Sequence, residues 1–138
     1  MVRHGAPARH LVERLHWRGS AHPERSAFSF ESDAGAETVW TYAELDTHAR
    51  AVAVQLLSAA RPGDRILLLC PAGPEFAAAF LGALYAGLVP VPAYPPASAK
   101  HVGRVEVILR DADTDLIATT RRTRERIEKW LRDGSPTR

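Results

Sequence analysis

A chain of 138 residues, 46% of them hydrophobic and 25% charged, is long enough for one domain with a real core and too apolar to be disordered. Its net charge of +2 is too small to point to nucleic acid, and no apolar run reaches the ~20 residues that span a bilayer. The single cysteine, Cys70, forbids an intrachain disulfide and suits a reducing, cytoplasmic compartment.

Residues 1–10 read as a flexible amino terminus. They are basic but carry no apolar core before Glu13, so a secretory signal is not expected. Leu11, Leu15 and Trp17 mark a first short helix, with Gly19 expected to close it. Ala27-Phe28-Ser29-Phe30 alternates at period two, and Thr38-Val39-Trp40-Thr41 returns as the second arm of a hairpin. Thr41-Tyr42-Ala43-Glu44 is a capping box. The helix behind it is expected to reach about Ala59, with Leu45, Ala49, Val52 and Leu56 as its buried stripe.

Ile66-Leu67-Leu68-Leu69 is an apolar run between turn signals and suits a strand buried on both faces. Gly73 can cap the next helix, Pro74 fits its first position, and Glu75 sits favourably in its first turn. From Glu75 to Ala86 this helix has no polar face, because Phe76, Ala77, Ala78, Ala79, Phe80, Leu81, Ala83 and Leu84 surround the axis. Such a helix must be covered all round. A chain this short is expected to leave part of it bare, as an exposed apolar patch. Gly87 ends the helix, and Val89–Pro92 follows as a short strand.

After Pro96, Val102, Val105, Leu109 and Ala112 give another helical stripe, and Leu116-Ile117-Ala118-Thr119 another strand. A last helix places Ile127, Trp130 and Leu131 on one face; Gly134-Ser135-Pro136 stops it and leaves a tail, 134–138. No internal repeat occurs. Strands alternating with helices predict an α/β fold: a mostly parallel sheet with helices on both faces, plus an amino-terminal β-hairpin.

The run Leu84-Tyr85-Ala86-Gly87-Leu88-Val89-Pro90-Val91-Pro92 resembles an early core motif of the adenylate-forming (AMP-binding, acyl-CoA synthetase-like) enzymes. Pro92-Ala93-Tyr94-Pro95-Pro96 is similar to the fatty acyl-AMP ligase branch. Thr41-Tyr42-Ala43-Glu44-Leu45 and Pro62-Gly63-Asp64-Arg65 fit at similar spacings, so the likeness covers about Leu11 to Thr120. It implies that 11–133 is part of an AMP-binding amino-terminal domain. Family members use ATP and Mg²⁺ to activate a fatty acid, release pyrophosphate and pass the acyl-adenylate to an acyl carrier protein. Their phosphate cradle is a Ser/Thr/Gly run ending in Pro-Lys. That run, GxxxxGK and GxGxxG do not occur here. The family's ribose-binding Asp and late catalytic Lys would lie beyond residue 138. The resemblance therefore implies an amino-terminal fragment with no catalytic, cofactor-binding or metal residues of its own, inactive until joined by the downstream part or a partner chain. After Thr120 the sequence departs from the family pattern.

Other features weigh toward structure. Cys70 ends a strand, where a nucleophile could stand, but no base accompanies it, and a small buried thiol packs as an apolar group. His4, His10, His16, His22, His48 and His101 are scattered without metal-ligand spacing. Arg121, Arg122, Arg124, Arg126, Lys129 and Arg132 form a basic cluster that could grip a phosphate backbone or an acidic carrier-protein helix, but Glu125 facing Lys129 and Glu128 facing Arg132 at helical spacing read as a solvated face. Val89–Pro96, with four prolines, rims an acyl tunnel or stiffens an edge strand, and its apolar flanks argue against a third reading as a polyproline ligand; Tyr94 is its candidate for ligand contact. Two rival readings are a non-catalytic interaction module with the same partial fold and a small enzyme using Cys70.

Overall fold

The computed structural model describes residues 10–133. The amino-terminal stretch 1–9, His4 included, and the tail 134–138 with its Gly-Ser-Pro stop lie outside the described residues. In chain order the elements are α1 (Leu11–Ala21), the hairpin β1 (Ser26–Glu31) and β2 (Glu37–Thr41), α2 (Tyr42–Leu56), β3 (Arg65–Leu69) and α3 (Pro74–Tyr85). β4 (Val89–Pro92), a 3₁₀ turn (Ala99–His101), α4 (Val102–Asp111), β5 (Ile117–Thr119) and α5 (Arg121–Asp133) complete them.

β3 is the centre of a parallel sheet ordered β4-β3-β5, and the hairpin is a separate two-stranded sheet. The path β3–α3–β4 steps to one side; β4–α4–β5 returns past β3 to the other. Right-handed crossovers then place α3 on one face and α4 on the opposite one. The pleat of β3 agrees. Ile66, Leu68 and Cys70 pack with Ala79, Ala83 and Ala86, while Leu67 and Leu69 pack with Val105 and Ile127. Helices thus cover both faces.

β4 is an edge strand, and its prolines suit that position. Val89 N–H donates to the Asp64 carbonyl at 2.9 Å, and Ala93 N–H to the Leu68 carbonyl at 3.0 Å. Pro90 and Pro92 fall between these donors, where a strand offers its N–H outward, and have none to offer.

The capping box of α2 is formed: Glu44 N–H donates to Thr41 Oγ1 at 3.2 Å, and Thr41 N–H to Glu44 Oε2 at 2.8 Å. α2 ends at Leu56, three residues short of the expected Ala59, and the chain leaves it through a turn.

Two expectations are corrected. Gly19 does not close α1; the helix passes through it to Ala21. A Cβ at Gly19 would lie 3.2 Å from Asp46 Cβ and 3.3 Å from the Tyr42 carbonyl, so the glycine serves the approach of α1 to α2. Nor does α3 carry an exposed apolar patch: no large hydrophobic residue on it is exposed. The sheet covers one side and α2, with α1, the other. Small residues allow it. A Cβ at Gly82 would stand 2.8 Å from both the Ala49 carbonyl and Val52 Cβ, so the two helices meet backbone to backbone. The bare apolar surface has moved to α1 and the hairpin, where Leu11, Trp17, Phe28 and Val39 are about half exposed.

Candidate functional site

Because β3, β4 and β5 run parallel, their carboxyl ends share one edge. β3 and β5 are neighbours, yet the helices that follow them lie on opposite faces, so the loops after them diverge. In open α/β sheets ligands bind at that divergence. The edge here is built from Cys70, the loop 71–73, Tyr94 and Thr119–Arg121.

Most of its polar groups are already engaged. Thr119 Oγ1 donates to the Leu69 carbonyl at 2.8 Å, tying β5 to β3. Thr120 Oγ1 accepts from Thr123 N–H at 3.2 Å and so caps α5. Cys70 is buried, its Sγ 3.9 Å from the Ala118 carbonyl. Burial pushes its thiol pKa up, and the nearby Glu75 charge adds to this, which is the wrong direction for a nucleophile. Tyr94 stands at the exit of β4 with 86% of its surface exposed.

Beside this edge an apolar groove of about 480 Å³ runs between α1, β1 and the start of α3. Leu15, Phe28, Phe76 and Phe80 line it, with Arg14 and Arg18 on its α1 wall and Ala72-Gly73 at one end. At the opposite, amino edge of the sheet lies a polar cleft of about 900 Å³, flanked by Arg65, Glu106, Arg110 and Asp113. Thr114 Oγ1, in its lining, donates to the Arg65 carbonyl at 2.7 Å.

Sequence reasoning missed one cluster. Asp46 is buried on α2 and accepts a hydrogen bond from the Tyr85 hydroxyl of α3. His16 Nδ1 of α1 lies 3.2 Å from its other oxygen, and Arg50 Nη1 3.9 Å away. The Val12 carbonyl is a second acceptor for Tyr85, at 3.2 Å. Burial raises the Tyr85 pKa well above the ordinary tyrosine value; the bond to Asp46 and its charge add to this. The cluster ties three helices together. Its signal was present: Tyr85 is a lone hydroxyl on an otherwise apolar helix and needs a partner.

The basic residues of α5 are exposed, but the ion pair formed is not one of those expected from the spacing, Glu125–Lys129 or Glu128–Arg132. Glu128 pairs back with Arg124 at 3.4 Å, and the Arg126 guanidinium lies 5.2 Å from the Trp130 ring centre. Among the described residues no three His, Cys, Asp or Glu side chains converge to hold a metal ion. At the described edge the Thr119 and Thr120 hydroxyls are bonded internally and the thiol is buried, so these groups make no cradle for a nucleoside triphosphate with Mg²⁺.

The model of the AMP-binding enzyme family matches residues 15–137. The chain belongs to this family. It is 39% identical over 108 residues to the long-chain-fatty-acid–AMP ligase FadD32 of Mycobacterium marinum, covering 78% of this chain and 17% of the relative. To the medium-chain-fatty-acid–[acyl-carrier-protein] ligase JamA of Moorena producens it is 41% identical over 113 residues, covering 79% of this chain and 19% of that one. The chain therefore spans less than a fifth of the length of these relatives. Among solved structures, a fatty acyl-adenylate ligase from L. pneumophila, in complex with acyl adenylate and pyrophosphate, superposes with a TM-score of 0.79 at 34% identity. That superposition covers 83% of this chain and 20% of the other. The fatty acid AMP ligase from Legionella pneumophila superposes with a TM-score of 0.74 at 35% identity, covering 80% and 19%. The fatty acyl-AMP ligase branch indicated by Pro92–Pro96 is thus the one in which the relatives fall.

Proposed function

We propose that this chain is the amino-terminal portion of a fatty acyl-AMP ligase. That enzyme would couple ATP to a fatty acid, release pyrophosphate and deliver the acyl-adenylate to an acyl carrier protein in the cytoplasm. The observation that carries the reading is the match to FadD32 and JamA over more than three quarters of this chain. In this reading residues 11–133 are part of the AMP-binding domain and supply its β3–α3–β4 unit and the sheet's carboxyl edge. The rest of the domain supplies the cradle for ATP and Mg²⁺, and this chain is inactive alone. Tyr94, on the rim beyond β4, is the residue assigned to ligand contact.

The test compares pyrophosphate release from ATP, with Mg²⁺ and dodecanoate, for the isolated chain and for a chimera. In the chimera this chain replaces the matching stretch of the M. marinum ligase. The expected result is no release from the chain alone and release from the chimera, with Tyr94→Ala raising KM for dodecanoate. Pyrophosphate release by the isolated chain contradicts the reading.

A further inference from the structure

α5 carries six cations, Arg121, Arg122, Arg124, Arg126, Lys129 and Arg132, against three acids, Glu125, Glu128 and Asp133, a surplus larger than the net +2 of the whole chain. All nine side chains are exposed. Little of this charge is neutralised within the chain. Glu128 turns back to Arg124, and Arg126 lies over the Trp130 ring. Arg121, Arg122, Lys129 and Arg132 have no ion-pair partner among the described residues. The placement does not serve the helix itself. Arg121, Arg122 and Arg124 stand in the first turn with no acid beside them, where the positive end of the helix dipole opposes them. The inner side of α5 is already used: Thr123 is buried, and Ile127 packs with Leu67, Leu69 and Val105. Nine charged side chains on the outer side are costly to bury, so that face stays toward solvent in a larger domain as well.

We infer that the outer face of α5 is a docking surface for a second protein that presents an acidic helix. The inference does not depend on the ligase reading. From Arg121 to Arg132 the cations extend over about 16 Å, three turns along which a second helix can lie and match charges. Arg121, Lys129 and Arg132 fall on one side at helical spacing. Five of the six cations are arginines, whose forked guanidinium takes a carboxylate with two parallel hydrogen bonds. Two features favour a protein over a lipid surface or a nucleic acid. The sheet occupies the apolar side of α5, so the helix has no such side to sink into lipid, and Leu131 is its one large hydrophobic residue left exposed. Glu125, Glu128 and Asp133 stand among the cations and oppose a uniform run of phosphates, whereas a protein helix can set its own cations against them.

The experiment measures binding of two labelled peptides of about 20 residues to the full chain by fluorescence anisotropy. One is an Ala-rich helix with Glu at three- and four-residue spacing; the other carries the same glutamates in a Gly-rich chain that holds no helix. The helical peptide is expected to bind at least about fivefold more tightly, because its carboxylates are already ordered. Lys129→Glu with Arg132→Glu should weaken it by about tenfold or more, and Lys129→Gln with Arg132→Gln, which adds no charge, by about threefold. Arg25→Glu with Arg61→Glu makes the same change in net charge outside α5 and should weaken it by less than about threefold. All four positions are exposed, so each variant is expected to keep the parent melting temperature. No binding of either peptide, equal binding of both, or equal loss in the two charge-reversed chains overturns the docking surface. Tighter binding of phosphatidylserine vesicles or of a DNA duplex than of the helical peptide overturns it too, and assigns α5 to a lipid surface or a nucleic acid. None of these measurements reads pyrophosphate release, so the ligase reading stands or falls separately.

Discussion

α3 and the α1–hairpin face are both rich in apolar residues and meet opposite fates. α3 is apolar around its whole axis, yet none of its large hydrophobic residues is exposed. The sequence of β1 alternates, but its pairing shifts register between Ser26 and Phe28, its burial does not alternate, and Phe28 is left about half exposed beside an open groove. The difference lies in the neighbours. Ala49 and Gly82 are small enough for α2 and α3 to meet at the backbone, so two helices and a sheet cover most of α3 and leave Phe76 and Phe80 only partly exposed along the groove. Among the described residues the hairpin packs on α1 and α2 and has no third strand. Burial is decided by how closely the cover can approach, as well as by how apolar the covered element is.

That contrast can be broken in graded steps. Leu81→Ala strikes the closed side, where Leu81 packs on Leu15, Leu45 and Ala49, and should cost about 2–5 kcal/mol in urea unfolding. Tyr85→Phe leaves an Asp46 oxygen without its donor and should cost about 1–3 kcal/mol. It should also change the alkaline limb of stability. Above 10.0, the ordinary tyrosine value, the unfolded hydroxyl ionises first because burial holds the folded one protonated. This contribution is therefore complete below that pH and is lost as pH rises through the folded value. Tyr85→Phe should flatten that loss in a pH series of unfolding midpoints. Gly82→Ala gains ~1 kcal/mol of helix propensity but must push α2 away, and a net loss of about 1–2 kcal/mol is expected. Phe28→Ser on the open side should stay within about 0.5 kcal/mol of the parent. A large loss there would mean that the groove is closed by the chain itself.

Much of the fold was legible because local signals carried it. The capping box at Thr41–Glu44, the Gly73-Pro74 helix start and the strand at Ile66–Leu69 each depend on residues within a few positions of one another. What escaped was spatial. A glycine that stops a helix and one that lets a second helix approach look identical in sequence, and Gly19 is the latter. The cover on α3 required matching Gly82 to Ala49 across two helices, and the Asp46–Tyr85 bond joins residues 39 positions apart. The site was legible only in part. The motif at Leu84–Pro96 led to the right enzyme branch, whereas the groove needed α1, β1 and α3 assembled before it existed.

Hydrogen exchange of the isolated chain tests the contrast between the two faces most directly. The amides of β3 and of the buried part of α3 should exchange only through global unfolding, while those on the outer edge of β1 should exchange faster by about tenfold or more. Uniform protection of both, or an α3 that exchanges as fast as β1, would contradict the account of a covered helix beside an open hairpin edge.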